Sequence, residues 1–299
     1  MVSKNVAKAF FHEKGIAQSW KIAARYAGQN GRIATLPDII DARLATETSS
    51  AAWSRYFTTS SAEYFGLTRG GTRILIITHG VGPMSTLNGV LDAYRYQFGD
   101  PHGNNSGGRI SQKDFWDLED GKYGLVSIVD FEAYVRRCAY PFIQTLHSDQ
   151  AIEDPLVRAR LGSRAEEYVK KHTAISQAWH REQLDKPIGT SNLTPEQIRS
   201  AQEKDVSNLM YAKWYSPLIL TIQDASNCIY GSWDKDRFIS WLEDRNPPFA
   251  HLLTIQQLGH SMHNGKQGLT CTIGCHGWND GTRFVAIPNS EAISTIELD

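Results

Sequence analysis

The chain lacks any large excess of charge of either sign: 31 Lys and Arg stand against 32 Asp and Glu in 299 residues, a formal net charge of −1. That balance leaves no electrostatic footprint for nucleic acid or for an anionic membrane, so the expected partner is a small molecule. Long apolar runs are missing too, and nothing approaches the roughly 18 residues of a membrane span. The opening MVSKNVAKAFFHEKG has no apolar signal-peptide core, and a cytoplasmic location is expected. Cysteine is scarce: four, at positions 138, 228, 271 and 275, are too few and too irregular for a disulfide framework. No Gly-X-Ser-X-Gly elbow, no phosphate loop ending in Gly-Lys-Ser/Thr and no His-Glu-X-X-His helix is found, which weakens hydrolase, nucleotide triphosphatase and zinc-protease readings. There is no internal repeat.

What is present suffices for a large core, since 41% of residues are hydrophobic and 10% aromatic. The most distinctive stretch is RILIITHGVGPMSTLNGVLDAYRYQFG, Arg73 to Gly99. Ile74 to Ile77 read as a strand buried on both faces, the kind found inside a parallel sheet. Gly80 and Gly82 turn the chain, and Pro83 to Thr86 open a helix carrying Leu87, Val90, Leu91, Tyr94 and Phe98 at helical spacing. Such a turn offers backbone N–H groups and the positive end of a helix dipole to an anion. Ser85 and Thr86 add hydroxyls there, and His79 places a polar ring at the strand end.

Elsewhere, residues 1–50 read as mostly helical and residues 99–111, with no apolar residue before Ile110, as an exposed loop. Ser111 caps a helix through Leu118 that Gly121 ends, and Leu125 to Phe131 form a second strand. Pro217 to Gln223, Leu269 to Gly274 and Thr282 to Pro288 read as further strands, the last two joined through Trp278-Asn279-Asp280-Gly281 as a hairpin. The expectation is an α/β protein with a mixed, largely buried sheet flanked by helices and a C-terminal β-hairpin. Its divisions are 1–171, an α/β core with the Gly-rich turn; 172–208, a polar excursion or linker; and 209–299, a C-terminal α+β part.

Residues 63–94, EYFGLTRGGTRILIITHGVGPMSTLNGVLDAY, resemble a segment of the purine nucleoside and uridine phosphorylase superfamily. There a Gly precedes an apolar strand, followed by a Gly-X-Gly turn, a Pro and a Ser/Thr that opens a helix. The resemblance implies a phosphate and ribose site at Gly80, Gly82, Ser85 and Thr86. It also implies a ribose-binding Glu132, within VDFEAY, and an Asp149, within HSD, that assists departure of the base; His79 joins Asp149 as a catalytic candidate on its own place at the strand end. The implied reaction is cleavage of an N-glycosidic bond by phosphorolysis or hydrolysis, with phosphate as a possible co-substrate, no resident cofactor and a possible homo-oligomer. The family's amino-terminal Gly-Asp-Pro-X-Arg motif is not recognisable, and Gly99-Asp100-Pro101 falls after the turn.

Two alternatives stand beside it. His260, His263, Cys271, Cys275 and His276 lie within seventeen residues, and imidazole and thiolate suit zinc; His260, His263 and one of Cys275 or His276 are the candidate ligands. Strand alternation instead gives Cys271 and Cys275 the same face as Leu269 and Ile273, as small core residues. The other alternative is a non-catalytic protein that binds a small molecule.

Overall fold

A computed structural model describes residues 6–13, 15–95, 108–130, 143–146, 148–184, 218–221, 248–255, 257–263, 266–270, 273–275, 281–289 and 293–299. In chain order the elements begin with β1 (Ala7–His12), α1 (Ile16–Ala27), β2 (Arg32–Ile33), α2 (Leu36–Ala45), α3 (Ala51–Ser54), β3 (Phe57–Leu67) and β4 (Arg73–His79). There follow α4 (Leu87–Arg95), β5 (Gly108–Arg109), α5 (Gln112–Glu119), β6 (Ser127–Asp130), β7 (Ile143–Leu146), α6 (Ser148–Glu153), α7 (Pro155–Leu161) and α8 (Ala165–Leu184). The remainder is β8 (Leu218–Thr221), β9 (Phe249–Ile255), β10 (Gly259–His263), β11 (Lys266–Thr270), β12 (Ile273–Cys275), β13 (Thr282–Ile287) and β14 (Ile296–Leu298). Glu132, His276 and most of the 172–208 stretch lie outside the described residues. Among the described residues no helix is long and apolar enough to cross a membrane.

The sheet is mixed, as expected, but its centre is antiparallel. Its main path runs β14-β1-β13-β3-β9-β12-β8-β7, with β2 on β13, β4 on β3, β5 on β9 and β6 on β4. Among the described residues parallel pairing is confined to β1 with β14, β13 with β3 and β12 with β8. The expectation that Ile74 to Ile77 sit in a parallel sheet is therefore corrected: β4 runs antiparallel to both β3 and β6. An apolar run reports burial on both faces and not strand direction. The helix after the Gly turn accordingly does not follow a parallel strand.

Two further expectations change. Residues 1–50 contain β1 and β2 besides their helices, because Lys8 to His12 pair with β13 and Ala7 to Ala9 with β14. The strand at 282–287 does not pair with the described residues of 269–275: β13 joins β1, β2 and β3, β11 joins β10, and β12 joins β8 and β9. Burying Phe284 and Ala286 against α1 on a central strand outweighs the local turn signal at Asp280-Gly281.

Strand alternation divides the apolar side chains between two cores. On one face Phe65, Leu75, Ile77, Leu253, Ile255 and Val285 pack with Ile39, Ile40, Leu156, Val157 and Tyr168 of α2, α7 and α8. On the other, Tyr64, Ile76, Leu252 and Phe284 pack with Trp20, Val90, Tyr94, Phe115 and Leu118 of α1, α4 and α5. A capping box at Thr35 and Asp38 starts α2, and Asp154 caps α7 through the N–H groups of Leu156 and Val157.

Candidate functional site

Thr58 to Ser61 put four hydroxyls in succession into the first half of β3, where the register with β9 shifts between Thr58 and Ala62. Those hydroxyls complete the backbone around the bulge. Thr59 donates to Leu253 O at 2.8 Å and Ser60 to Ile33 O at 3.0 Å, while Ser61 Oγ accepts from the Leu36 N–H at 2.8 Å. Ser61 also pairs in register with His79 and lies 2.7 Å from its Nδ1. His79 Nε2 is 2.8 Å from Ala159 O, and because a carbonyl only accepts, that nitrogen carries the proton. Ser61 thus donates to Nδ1 of a neutral ring, whose pKa burial lowers below the ordinary value.

The next residue on the same face of β3 is Glu63, fully buried and opposite His251 of β9. Its carboxylate takes a two-pronged contact from Arg160 of α7, with Nη2 at 2.9 Å and Nε on the other oxygen, and a 3.2 Å hydrogen bond from His251 Nε2. Burial alone raises the Glu63 pKa, but the Arg160 charge and the His251 contacts outweigh it and hold it at about 2. His251 Nδ1 is buried without a hydrogen-bond partner. Ser61 and Glu63 therefore moor α7 to the sheet, one through His79 and Ala159 O, the other through Arg160.

The Gly turn closes largely on itself. Gly80 N–H donates to Ser60 O at 3.2 Å, Met84 N–H to the Tyr64 hydroxyl at 3.2 Å, and Ser85 N–H to Gly82 O at 3.0 Å. Ser85 Oγ donates to Gly82 O at 2.7 Å, and Thr86 Oγ1 accepts from the Gly89 N–H at 3.2 Å. Gly82 adopts φ +95°, and a Cβ there would stand 3.1 Å from both Leu118 and the Tyr64 hydroxyl. His79, Gly80, Gly82, Ser85 and Thr86 are thus neighbours in the chain and in the fold, and Asp149 lies in α6. His260 and His263 stand on β10 and Cys275 on β12, strands of two different sheets.

At the other end of β4 a cleft of about 440 Å³ opens between the β3–β4 turn and the start of α5. Leu67 to Gly71 form one wall and Ser111, Gln112 and Trp116 the other. The Arg69 guanidinium lies 5.4 Å from the centroid of the Trp116 ring and binds Asp120 through two 3.0 Å hydrogen bonds. Gln112 Nε2 and Trp116 Nε1 both donate to Leu67 O, at 3.2 and 3.3 Å, which fixes the amide and the indole against the turn. Residue patterning missed this site. Its only sequence signal was Thr-Arg-Gly-Gly, a polar β-turn between strands, with Trp116 on the half-exposed side of a short helix.

No family model matches the chain, and no curated protein does. A solved structure described as "Accommodation of massive sequence variation in Nanoarchaeota by the C-type lectin fold" is similar over 95% of this chain and 99% of its own, with a TM-score of 0.55 and 17% identity. That likeness concerns the fold, and it corrects the nucleoside phosphorylase resemblance together with the phosphorylase, nucleoside hydrolase and glycosyltransferase activities it implied. The strand, turn and helix of residues 73–95 are real elements, but they belong to a largely antiparallel sheet of C-type lectin type.

Proposed function

We propose that the chain is a non-catalytic binding protein and that the cleft between Leu67–Gly71 and Ser111–Trp116 receives a small, neutral, polar ligand. The observation that carries this reading is the composition of the cleft wall. Arg69 is neutralised by the bidentate Asp120, leaving little net charge to select an ion. Gln112, Thr68 and Trp116, which line the cleft, supply an amide, a hydroxyl and a fixed indole, a set that suits a ligand of sugar-like chemistry, with hydroxyls for the polar groups and C–H faces for the ring. By contrast, Ser61 is fully buried, and the partner behind His79 is a neutral carbonyl in place of the carboxylate that a serine nucleophile's histidine uses.

The fold supports the same reading. Its neighbour is described as a C-type lectin fold that accommodates massive sequence variation, and in this chain the cleft residues sit on a turn and a half-exposed helix face, with Trp116 packed against the rim of one core. The test is calorimetric titration with a panel of neutral mono- and disaccharides and nucleosides, repeated on Gly70→Trp. Gly70 is not in the left-handed region, and a Cβ there meets only Thr68 Oγ1 at 3.7 Å, so the new indole has room at the cleft without backbone strain. The expected result is saturable binding that Gly70→Trp removes and no release of a free base from any nucleoside. Binding unchanged in Gly70→Trp, or no binding by any member of the panel, overturns the proposal.

A further inference from the structure

At the opposite end of β3, just before Phe57, a second group of side chains is built around Arg283. β1 and β13 pair antiparallel with Phe11 opposite Arg283, and the guanidinium sits 5.2 Å from the Phe11 ring centroid and 5.1 Å from that of Tyr56. Both rings are fixed through Gly281. The Tyr56 hydroxyl donates to Gly281 O at 2.8 Å, and the Phe11 ring packs so closely on Gly281 that a Cβ there would come within 2.8 Å of it. A long, rotamer-rich arginine is thereby held between two rings before any ligand arrives, which lowers the ordering cost of binding.

Burial works against the Arg283 charge, Tyr56 works for it, and the like charge of Arg55, next to Tyr56 in the chain, works against it. Among the described residues no ion pair joins Arg283 to an acid. Phe11, at 42% exposed, leaves the assembly open to solvent. Several surface arginines elsewhere are matched with acids: Arg32 with Asp38, Arg69 with Asp120, Arg158 with Glu153, and Arg164 with Asp41 and Glu167.

We infer that Arg283, stacked between Phe11 and Tyr56, forms with Arg55 a binding site for a tetrahedral oxyanion of charge −2, a phosphate or sulfate group. A guanidinium gripped by its faces presents its N–H edge, and that edge matches two oxygens of one anion. A dianion also neutralises both arginines, which a single carboxylate does not. This site is separate from the cleft, from which the length of β3 divides it, and it does not depend on what the cleft binds.

The experiment is titration of the intact chain with inorganic phosphate, sulfate and phenyl phosphate at constant ionic strength, with chloride and acetate as controls. Wild-type protein is expected to bind all three dianions saturably and to show no saturable response to chloride or acetate. Arg283→Gln and Arg55→Gln are each expected to weaken phosphate by roughly tenfold or more. Arg55 is exposed, so its variant keeps the wild-type melting temperature and separates loss of binding from loss of fold. Tighter phenyl phosphate than inorganic phosphate marks an esterified ligand, and equal affinities mark the free ion; either supports the site. No saturable phosphate binding, equal affinity in Arg55→Gln and wild type, or a response that chloride reproduces overturns it.

Discussion

Ser61 and His79 face each other across the β3–β4 ladder with 2.7 Å between Oγ and Nδ1, a serine–histidine pair whose other ring nitrogen ends on a backbone carbonyl. Ser61 is fully buried and also receives the Leu36 N–H at the start of α2. The pair is a joint between a sheet and two helices. Ser61→Ala is expected to leave two buried groups short of a partner and to cost about 1–3 kcal/mol by chemical denaturation, with ligand affinity at the cleft unchanged. A stability equal to wild type contradicts the joint.

The Glu63–Arg160 pair makes a sharper forecast. Glu63→Gln leaves a buried guanidinium without its counter-charge and is expected to lose about 3–5 kcal/mol. The double variant Glu63→Gln, Arg160→Met removes that charge as well, so it should lose less than the single variants summed. Additive losses in a double-mutant cycle contradict a direct pair.

Acid lability follows from a buried histidine, His172, and a half-buried one, His79. His172 of α8 packs beside Tyr168, and burial, with a smaller contribution from the Arg43 charge, lowers its pKa to about 4. The unfolded chain takes up that proton near pH 6.5. The neutral ring therefore adds stability above that pH, and the contribution is lost as pH falls toward 4, to a limit on the order of 3 kcal/mol. His79 shifts in the same direction. His172→Leu is expected to flatten the fall in melting temperature between about pH 6.5 and pH 4.5; an unaltered slope contradicts this origin.

Gly82 carries a prediction about the turn. Its φ is +95°, and any Cβ there would lie 3.1 Å from Leu118 and from Tyr64 Oη, so Gly82→Val is expected to strain the backbone and push apart β3 and α5. A loss of about 2 kcal/mol or more in denaturation is the expected outcome. A variant as stable as wild type shows the turn to be roomier than this geometry.

Much of the framework was legible because local signals and tertiary packing agree. β4, the Ser111-capped α5 and the strand ending at Asp130 all lie where apolar runs and caps place them. The central strand β3 was not legible, since Thr58 to Ser61 carry no apolar alternation and are strand where Leu253 O, Ile33 O and the Leu36 N–H supply partners. Strand direction was equally hidden: the run Ile74 to Ile77 looks the same in a parallel or an antiparallel sheet. The Glu63–Arg160 pair was not legible either, because only the fold brings residues 97 positions apart together. The cleft depends on a turn meeting a helix, and neither part announces the other.

The central claim, a binding site at the Leu67–Gly71 turn and α5 and not at the Gly80–Thr86 turn, is tested most directly by amide chemical-shift mapping of labelled protein titrated with neutral mono- and disaccharides. The account predicts saturable shifts centred on residues 67–71 and 111–116 that Gly70→Trp abolishes. Shifts centred on His79 to Thr86, with the cleft residues unmoved, contradict it.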